Sequence, residues 1–124
     1  MPIYFDAEKQ TFRLDAGTSS YVMRVGPHGY LLHLHYGAHT SDLDLSYMEP
    51  SLPRASFCPR PHGDPETPFS LDYYPMEYPA YGAGDFRTAA VSILGANGCA
   101  STDLRYRSHE IRSGKYALKG LPSV

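Results

Sequence analysis

Apolar and polar residues alternate in short runs through the first third of the chain, the period-two signature of strands with two unlike faces. Ile3 to Asp6 and Thr11 to Asp15 are two such runs. The polar break Ala7-Glu8-Lys9-Gln10 between them suits a hairpin loop. Ser20 to Val25 and Tyr30 to Tyr36 form a second pair around Gly26-Pro27-His28-Gly29, whose Gly and Pro fit a tight reversal. In the later run Tyr30, Leu32, Leu34 and Tyr36 fall on one face, and Leu31, His33 and His35 on the other. One buried side and one mixed side is the pattern of a sheet in a sandwich.

Alternation stops between Glu49 and Pro68, where prolines stand at 50, 53, 59, 61, 65 and 68. Proline lacks the backbone N–H and fixes φ, so a central strand or a helix interior is excluded there. The 49–68 stretch reads as a proline-rich loop, and a connection of that length is either functional or without fixed structure. Strand patterns resume at Phe69 to Tyr74 and Ala89 to Leu94. Asn97-Gly98 is the strongest hairpin signal, because a type I′ turn needs positive φ at both central positions. Ser101 to Ile111 alternates again, with Leu104 and Tyr106 on one side and Asp103, Arg105, Arg107 and His109 on the other. Ser113-Gly114 then turns the chain into Lys115 to Leu118. No window of helical length carries an apolar stripe at i, i+3, i+4, i+7. The chain is read as all-β, an antiparallel β-sandwich.

With 124 residues the chain is one domain or part of one. A fold of this size buries about two-thirds of its unfolded surface, enough for a core. Eleven Tyr, eleven Pro and eleven Gly with no Trp suit strands broken by turns. A net charge of −2 gives no pull toward nucleic acid or anionic lipid. The opening Met-Pro-Ile-Tyr-Phe-Asp lacks a basic region followed by an apolar run, so no secretory signal is visible. No stretch approaches the roughly 18 apolar residues of a membrane span. A cytoplasmic protein is expected, with Cys58 and Cys99 as reduced thiols serving ordinary packing.

Candidate chemistry is sparse. His33 and His35, two apart on a strand, project to one side and could share a metal, or could be polar sheet-face histidines. A catalytic metal site needs about three protein ligands, and only two have geometric logic here. No metal and no cofactor are therefore expected. Glycoside hydrolysis uses two carboxyl groups about 5–9.5 Å apart, which directs attention to Asp42 with Asp44 and to Glu77 with Asp85. Turn capping and solvated surface explain both pairs more simply. Asp103, Arg105 and Arg107 form a charged strand face, either an interface fork or a solvent face. The tyrosines fit core or rim positions better than sugar stacking. No nucleophile motif, phosphate loop or cysteine-pair metal spacing is present.

The stretch Met76-Glu77-Tyr78-Pro79-Ala80-Tyr81-Gly82-Ala83-Gly84-Asp85-Phe86-Arg87 closely resembles the E-Y-P-x-Y-G-x-G-D-F-R segment of bacterial family 36 α-galactosidases. Thr11-Phe12-Arg13-Leu14, Ser20-Tyr21-Val22-Met23 with Gly29-Tyr30-Leu31, and Thr102-Asp103-Leu104-Arg105-Tyr106 resemble the same family in order and spacing. Gly114-Lys115 leading to Gly120-Leu121-Pro122 extends the likeness over nearly the whole chain. Read physically, Pro79, Gly82 and Gly84 force a tight irregular path between strands. Tyr78, Tyr81 and Phe86 are expected to anchor it by burial, and Asp85 with Arg87 to pin it by hydrogen bonds. The motif is either a loop lock or part of an interface or pocket rim.

The resemblance implies a β-supersandwich N-terminal domain (the galactose-mutarotase-like fold) followed by a (β/α)₈ barrel and a C-terminal β-domain. The reacting Asp pair of a metal-free retaining hydrolysis lies in the barrel. Residues 1–124 then form the N-terminal portion of the supersandwich, non-catalytic alone, in a polypeptide that removes terminal α-linked galactose from melibiose- or raffinose-type oligosaccharides. A free-standing carbohydrate-binding module is the alternative. The expected partners are the rest of the polypeptide and further copies, a tetramer in bacterial members, with no nucleic acid and no membrane. In such tetramers a loop of this domain reaches a neighbouring subunit's sugar pocket, which puts Arg54 and Phe57 forward as substrate-binding residues in trans. Arg54 matches a family-like arginine, and Phe57 an aromatic displaced by one place. Pro53 stands where relatives often carry an acidic residue.

Overall fold

The computed structural model describes residues 2–42, 44–49, 69–82, 85–114 and 119–120. Within them four strands form one antiparallel sheet in chain order: β1 Ile3–Asp6, β2 Thr11–Ala16, β3 Ser19–Val25 and β4 Leu31–Ala38. Two 3-10 turns, Pro27–Gly29 and Ser46–Met48, are its helical elements. The fold is all-β, as the alternation predicts. Each strand lies beside the next because each connection is a tight reversal. Asp6 Oδ1 accepts the Glu8 and Lys9 N–H groups at 2.9 and 3.0 Å, and Gln10 takes φ +53° to close the first loop. Gly17, at φ +61°, opens the two-residue reversal that leaves Ala16 opposite Ser19. At the third, the Gly26 N–H donates to Tyr30 O at 2.8 Å while His28 and Gly29 take φ +58° and +80°.

One irregularity changes the face assignments. Along the β3–β4 ladder Tyr21 lies opposite Tyr36 and Val22 opposite His35, but Met23 lies opposite His33. Leu34 is the extra residue of a β-bulge. Adjacent β3 residues point to opposite faces, so the bulge puts His33 and His35 out of phase. The expectation that both project to one side is corrected. So is the placement of Tyr36 beside Leu34, since Leu34 is 5% exposed and Tyr36 73%. A one-residue slip moves every later side chain to the other face.

Both faces of the sheet are covered in part by irregular chain. Val22, Leu34 and Leu45 form a small cluster on one face. Tyr30, Leu32, Phe69, Leu71 and Tyr74 form the larger core, with the Tyr30 and Phe69 rings stacked at 5.3 Å. Each such side chain contributes about 1.5–3 kcal/mol on burial. On the Phe12 face, the His109 ring sits 4.2 Å from Phe5 and 4.7 Å from Phe12.

Beyond β4 the strand expectations differ from the structure. Phe69 to Tyr74 is a turn, in which the Tyr73 and Tyr74 N–H groups both donate to Ser70 O at 3.2 Å. The Ser70 hydroxyl bonds Asp72, the local Ser/Asp pairing that competes with a ladder. Ala89 to Leu94 and Ser101 to Ile111 join no ladder among the described residues. Alternation shows that a segment can pair, and pairing also needs a partner. The Asn97-Gly98 reversal exists, with the Gly95 N–H donating to Cys99 O at 2.9 Å, but only Gly98 has positive φ. It is a three-residue connection with glycine in the left-handed position, not a type I′ turn. Cys99 is exposed with a free thiol, so it does not pack as expected. Cys58, the proline-rich stretch after Glu49 and residues 115–118 lie outside the described residues. Among the described residues no helix is long and apolar enough to cross a membrane.

Candidate functional site

The 76–87 motif is built onto the free edge of β4. The His33 N–H donates to Pro75 O at 2.7 Å and the Glu77 N–H to Leu31 O at 2.8 Å, with a Leu32–Met76 bridge between them. This places the Glu77 carboxylate over the sheet, where the Tyr21 hydroxyl donates to it and His33 Nδ1 lies 3.7 Å away. Burial first, and Glu77 second, push the Tyr21 hydroxyl well above its ordinary value, so it stays protonated and donating.

The loop then closes on itself. The Gly82 N–H donates to Asp85 O at 2.9 Å and the Asp85 N–H returns to Gly82 O at 3.0 Å. Gly82 has φ +107°, and a Cβ there would meet Ser101 Oγ at 2.3 Å. Glycine is required by both. Pro79 O accepts the Ala90 N–H at 2.8 Å. Asp85 is 4% exposed and accepts Arg87 Nε at 3.0 Å and Nη2 at 2.9 Å. The same guanidinium donates to Tyr74 O and Leu71 O, both at 2.7 Å. The expected Asp85–Arg87 pin is present and reaches further than the motif, into the 69–74 turn. Anchoring by aromatic burial is corrected: Tyr78, Tyr81 and Phe86 are 55%, 56% and 63% exposed. Buried carbonyls and one guanidinium hold the loop, which leaves the rings on the surface. Gly84 lies outside the described residues, as do Arg54 and Phe57.

A Ser/His/Asp cluster that sequence reasoning missed lies at the far end of the sheet. Asp15 and Ser20 are cross-strand partners around the Gly17 turn, a pairing readable from hairpin symmetry. The Ser20 hydroxyl donates to Asp15 Oδ1 at 2.7 Å and accepts the Thr40 N–H at 3.1 Å. His39 Nδ1 lies 3.1 Å from Ser20 Oγ and 3.5 Å from Asp15 Oδ1. A nucleophile needs its proton aimed at the base and an open approach. Ser20 has neither, with its proton on Asp15 and 1% exposure. The cluster is a polar lock. The Ser20 bond, more than the Arg13 and His39 charges, holds the Asp15 carboxyl below its usual range.

The charged 103–107 face divides. Tyr30 donates its hydroxyl to Asp103 Oδ1 at 2.8 Å, and Arg105 lies 4.7 Å over the Tyr30 ring while bonding Asp103 Oδ2 at 2.7 Å. Burial and Asp103 push the Tyr30 hydroxyl up to about 12. Asp103 and Arg105 thus form a surface clamp on Tyr30, and Arg107, also exposed, stands outside it. Of the acidic pairs, Asp42 caps the Asp44 N–H at 2.8 Å, and Asp44, bonded to Lys9 at 2.8 Å, is held at about 2. The turn-capping expectation stands for this pair and is corrected for the other: Glu77 and Asp85 are neither solvated surface nor simple turn caps, with side chains 15% and 5% exposed and bonded to Tyr21 and Arg87. Among the described residues no three His, Cys, Asp or Glu side chains gather to hold a metal. A cavity of about 260 Å³ opens between Met76, Tyr78 and the 104–108 segment.

The profile of the glycosyl hydrolase family 36 N-terminal domain matches residues 29–124. The chain belongs to family 36. It is 42% identical over its whole length to the bifunctional α-galactosidase/sucrose kinase AgaSK of Mediterraneibacter gnavus and to the α-galactosidase AgaA of Geobacillus stearothermophilus. It spans only 13% and 17% of those two proteins. Crystal structures agree with this family 36 assignment. The GH36 α-galactosidase AgaB of G. stearothermophilus superposes at a TM-score of 0.82 with 41% identity, over 99% of this chain and 16% of that one. A variant of AgaA in complex with raffinose does so at 0.75 and 45% identity, over 91% of this chain and 16% of that one.

Proposed function

We propose that this chain is the non-catalytic N-terminal β-domain region of an α-galactosidase that releases terminal α-linked galactose from raffinose- or melibiose-type oligosaccharides. The carrying observation is that a full-length match to α-galactosidases occupies less than a fifth of each relative. The carboxylates support the same reading. A retaining pair needs two carboxyl groups about 5–5.5 Å apart, one free to attack and one poised to donate. Here Asp15 is held by Ser20, Asp44 by Lys9, Asp85 by Arg87, Asp103 by Arg105 and Glu77 by Tyr21. Each is an acceptor fixed in a lock.

The role of the chain in this reading is support for assembly and for a sugar pocket in a cytoplasmic homo-oligomer, with Arg54 and Phe57 as the contacts offered to a neighbouring subunit. No cofactor or metal enters the proposal. Hydrolysis of an aryl α-galactoside tests it: the longer polypeptide turns the substrate over and residues 1–124 alone do not. Turnover by the lone chain that disappears on changing one of its own carboxylates overturns the proposal.

A further inference from the structure

Residues 99–112 run without turn or bend and join no ladder among the described residues. One backbone hydrogen bond and the side chains nevertheless hold this run in place. The Tyr106 N–H donates to Gly29 O at 2.8 Å, and Tyr106 and His109 both turn toward Phe12, at 6.2 and 4.7 Å between rings. That corrects the simple alternation, which put these two residues on opposite sides. The backbone of 107–111 makes no hydrogen bond among the described residues, and every one of these residues is exposed. A stretch anchored at Tyr106 and open along its backbone from Arg107 onward is what an added strand requires.

We propose that the 107–111 run is an acceptor edge for one further β-strand, supplied by the longer polypeptide of which this chain is a part. The inference rests on the reading given under Proposed function, since the relatives are about six to eight times the length of this chain. The edge also states what the strand must carry. Beside it lies the cavity of about 260 Å³ lined by Leu31, Met76, Tyr78 and Leu104, which takes an apolar side chain. On its rim Arg107 is exposed, and no hydrogen bond or ion pair holds its guanidinium among the described residues. It takes a carboxylate. The incoming strand therefore places an apolar residue and an Asp or Glu toward this edge. Both positions help to fix its register.

Hydrogen–deuterium exchange of the 107–111 amides in the longer polypeptide and in residues 1–124 tests this. Protection is expected to be about a hundredfold or more greater in the longer polypeptide. Arg107→Glu in that polypeptide is expected to reduce it by about fivefold, the scale of one exposed ion pair. Equal, fast exchange in both proteins overturns the inference. Protection already present in the short chain also overturns it, and a dimer mass in light scattering then makes a second copy the occupant. Aryl α-galactoside turnover is measured on the same preparation. Turnover with unprotected amides removes the strand and leaves the proposed function standing, whereas a folded but inactive preparation removes the function itself.

Discussion

Replacing Arg87 by Ala removes one side chain and four hydrogen bonds: two to the Asp85 carboxylate and one each to Tyr74 O and Leu71 O. The Asp85 side chain, 5% exposed, then keeps a buried charge with no cation beside it. Removing one partner of a buried pair costs about 3–5 kcal/mol. The Arg87 side chain is 36% exposed, so water reaches part of the vacated space and the estimate falls to about 2–4 kcal/mol. Against a total stability of about 5–15 kcal/mol this is a large fraction. At a slope of about 2 kcal/mol/M in urea the unfolding midpoint drops by about 1–2 M, with the slope unchanged. A double-mutant cycle with Asp85→Ala isolates the pair, and its coupling is expected to exceed about 1 kcal/mol. A midpoint shift corresponding to less than about 0.5 kcal/mol, or a coupling near zero, refutes the claim that this guanidinium holds the motif.

Three further outcomes follow from other parts of the structure. Gly82→Ala forces a Cβ to 2.3 Å from Ser101 Oγ at φ +107° and is expected to destabilise by about 2 kcal/mol or more in the same urea assay, a loss below 0.5 kcal/mol contradicting it. Asp15 and Asp44 titrate below the ordinary carboxylate value, Asp44 at about 2. Depressed values mean that their share of stability is complete above about pH 4 and is lost as pH falls toward 2; Asp15→Asn with Asp44→Asn is expected to flatten acid unfolding over that window, and an unchanged acid profile contradicts it. Zinc titration by calorimetry is expected to show no stoichiometric site, because the bulge separates His33 from His35. Saturable binding abolished by His33→Ala reverses that reading.

The four strands and their reversals were legible because both the alternation and the turn residues are local. The bulge at Leu34 was not, since nothing in the run from Tyr30 to Tyr36 marks which residue loses its partner. The same limit explains the later segments. Ser101 to Ile111 carries strand alternation, but whether it pairs depends on chain far away in sequence. The Asp85–Arg87 pin was visible from spacing alone, whereas its grip on Leu71 O and Tyr74 O spans 16 and 13 residues and was not. The Tyr30–Asp103 bond spans 73 residues and leaves no local trace. Exposure of Tyr81 and Phe86 also escaped the sequence, because aromatic content signals burial only when the backbone turns the rings inward.

In the proposed function Asp15, Asp44, Glu77 and Asp85 are scaffold, and the reacting pair belongs to another part of the longer polypeptide. Galactose release from raffinose by the longer polypeptide, measured as kcat per folded molecule for Asp15→Asn, Glu77→Gln, Asp44→Asn and Asp85→Asn below each variant's melting temperature, tests it directly. Each variant is expected to stay within about tenfold of the parent, since losing a reacting carboxylate costs on the order of 10⁴ or more. A loss of that size in a variant whose fold and melting temperature are intact contradicts it.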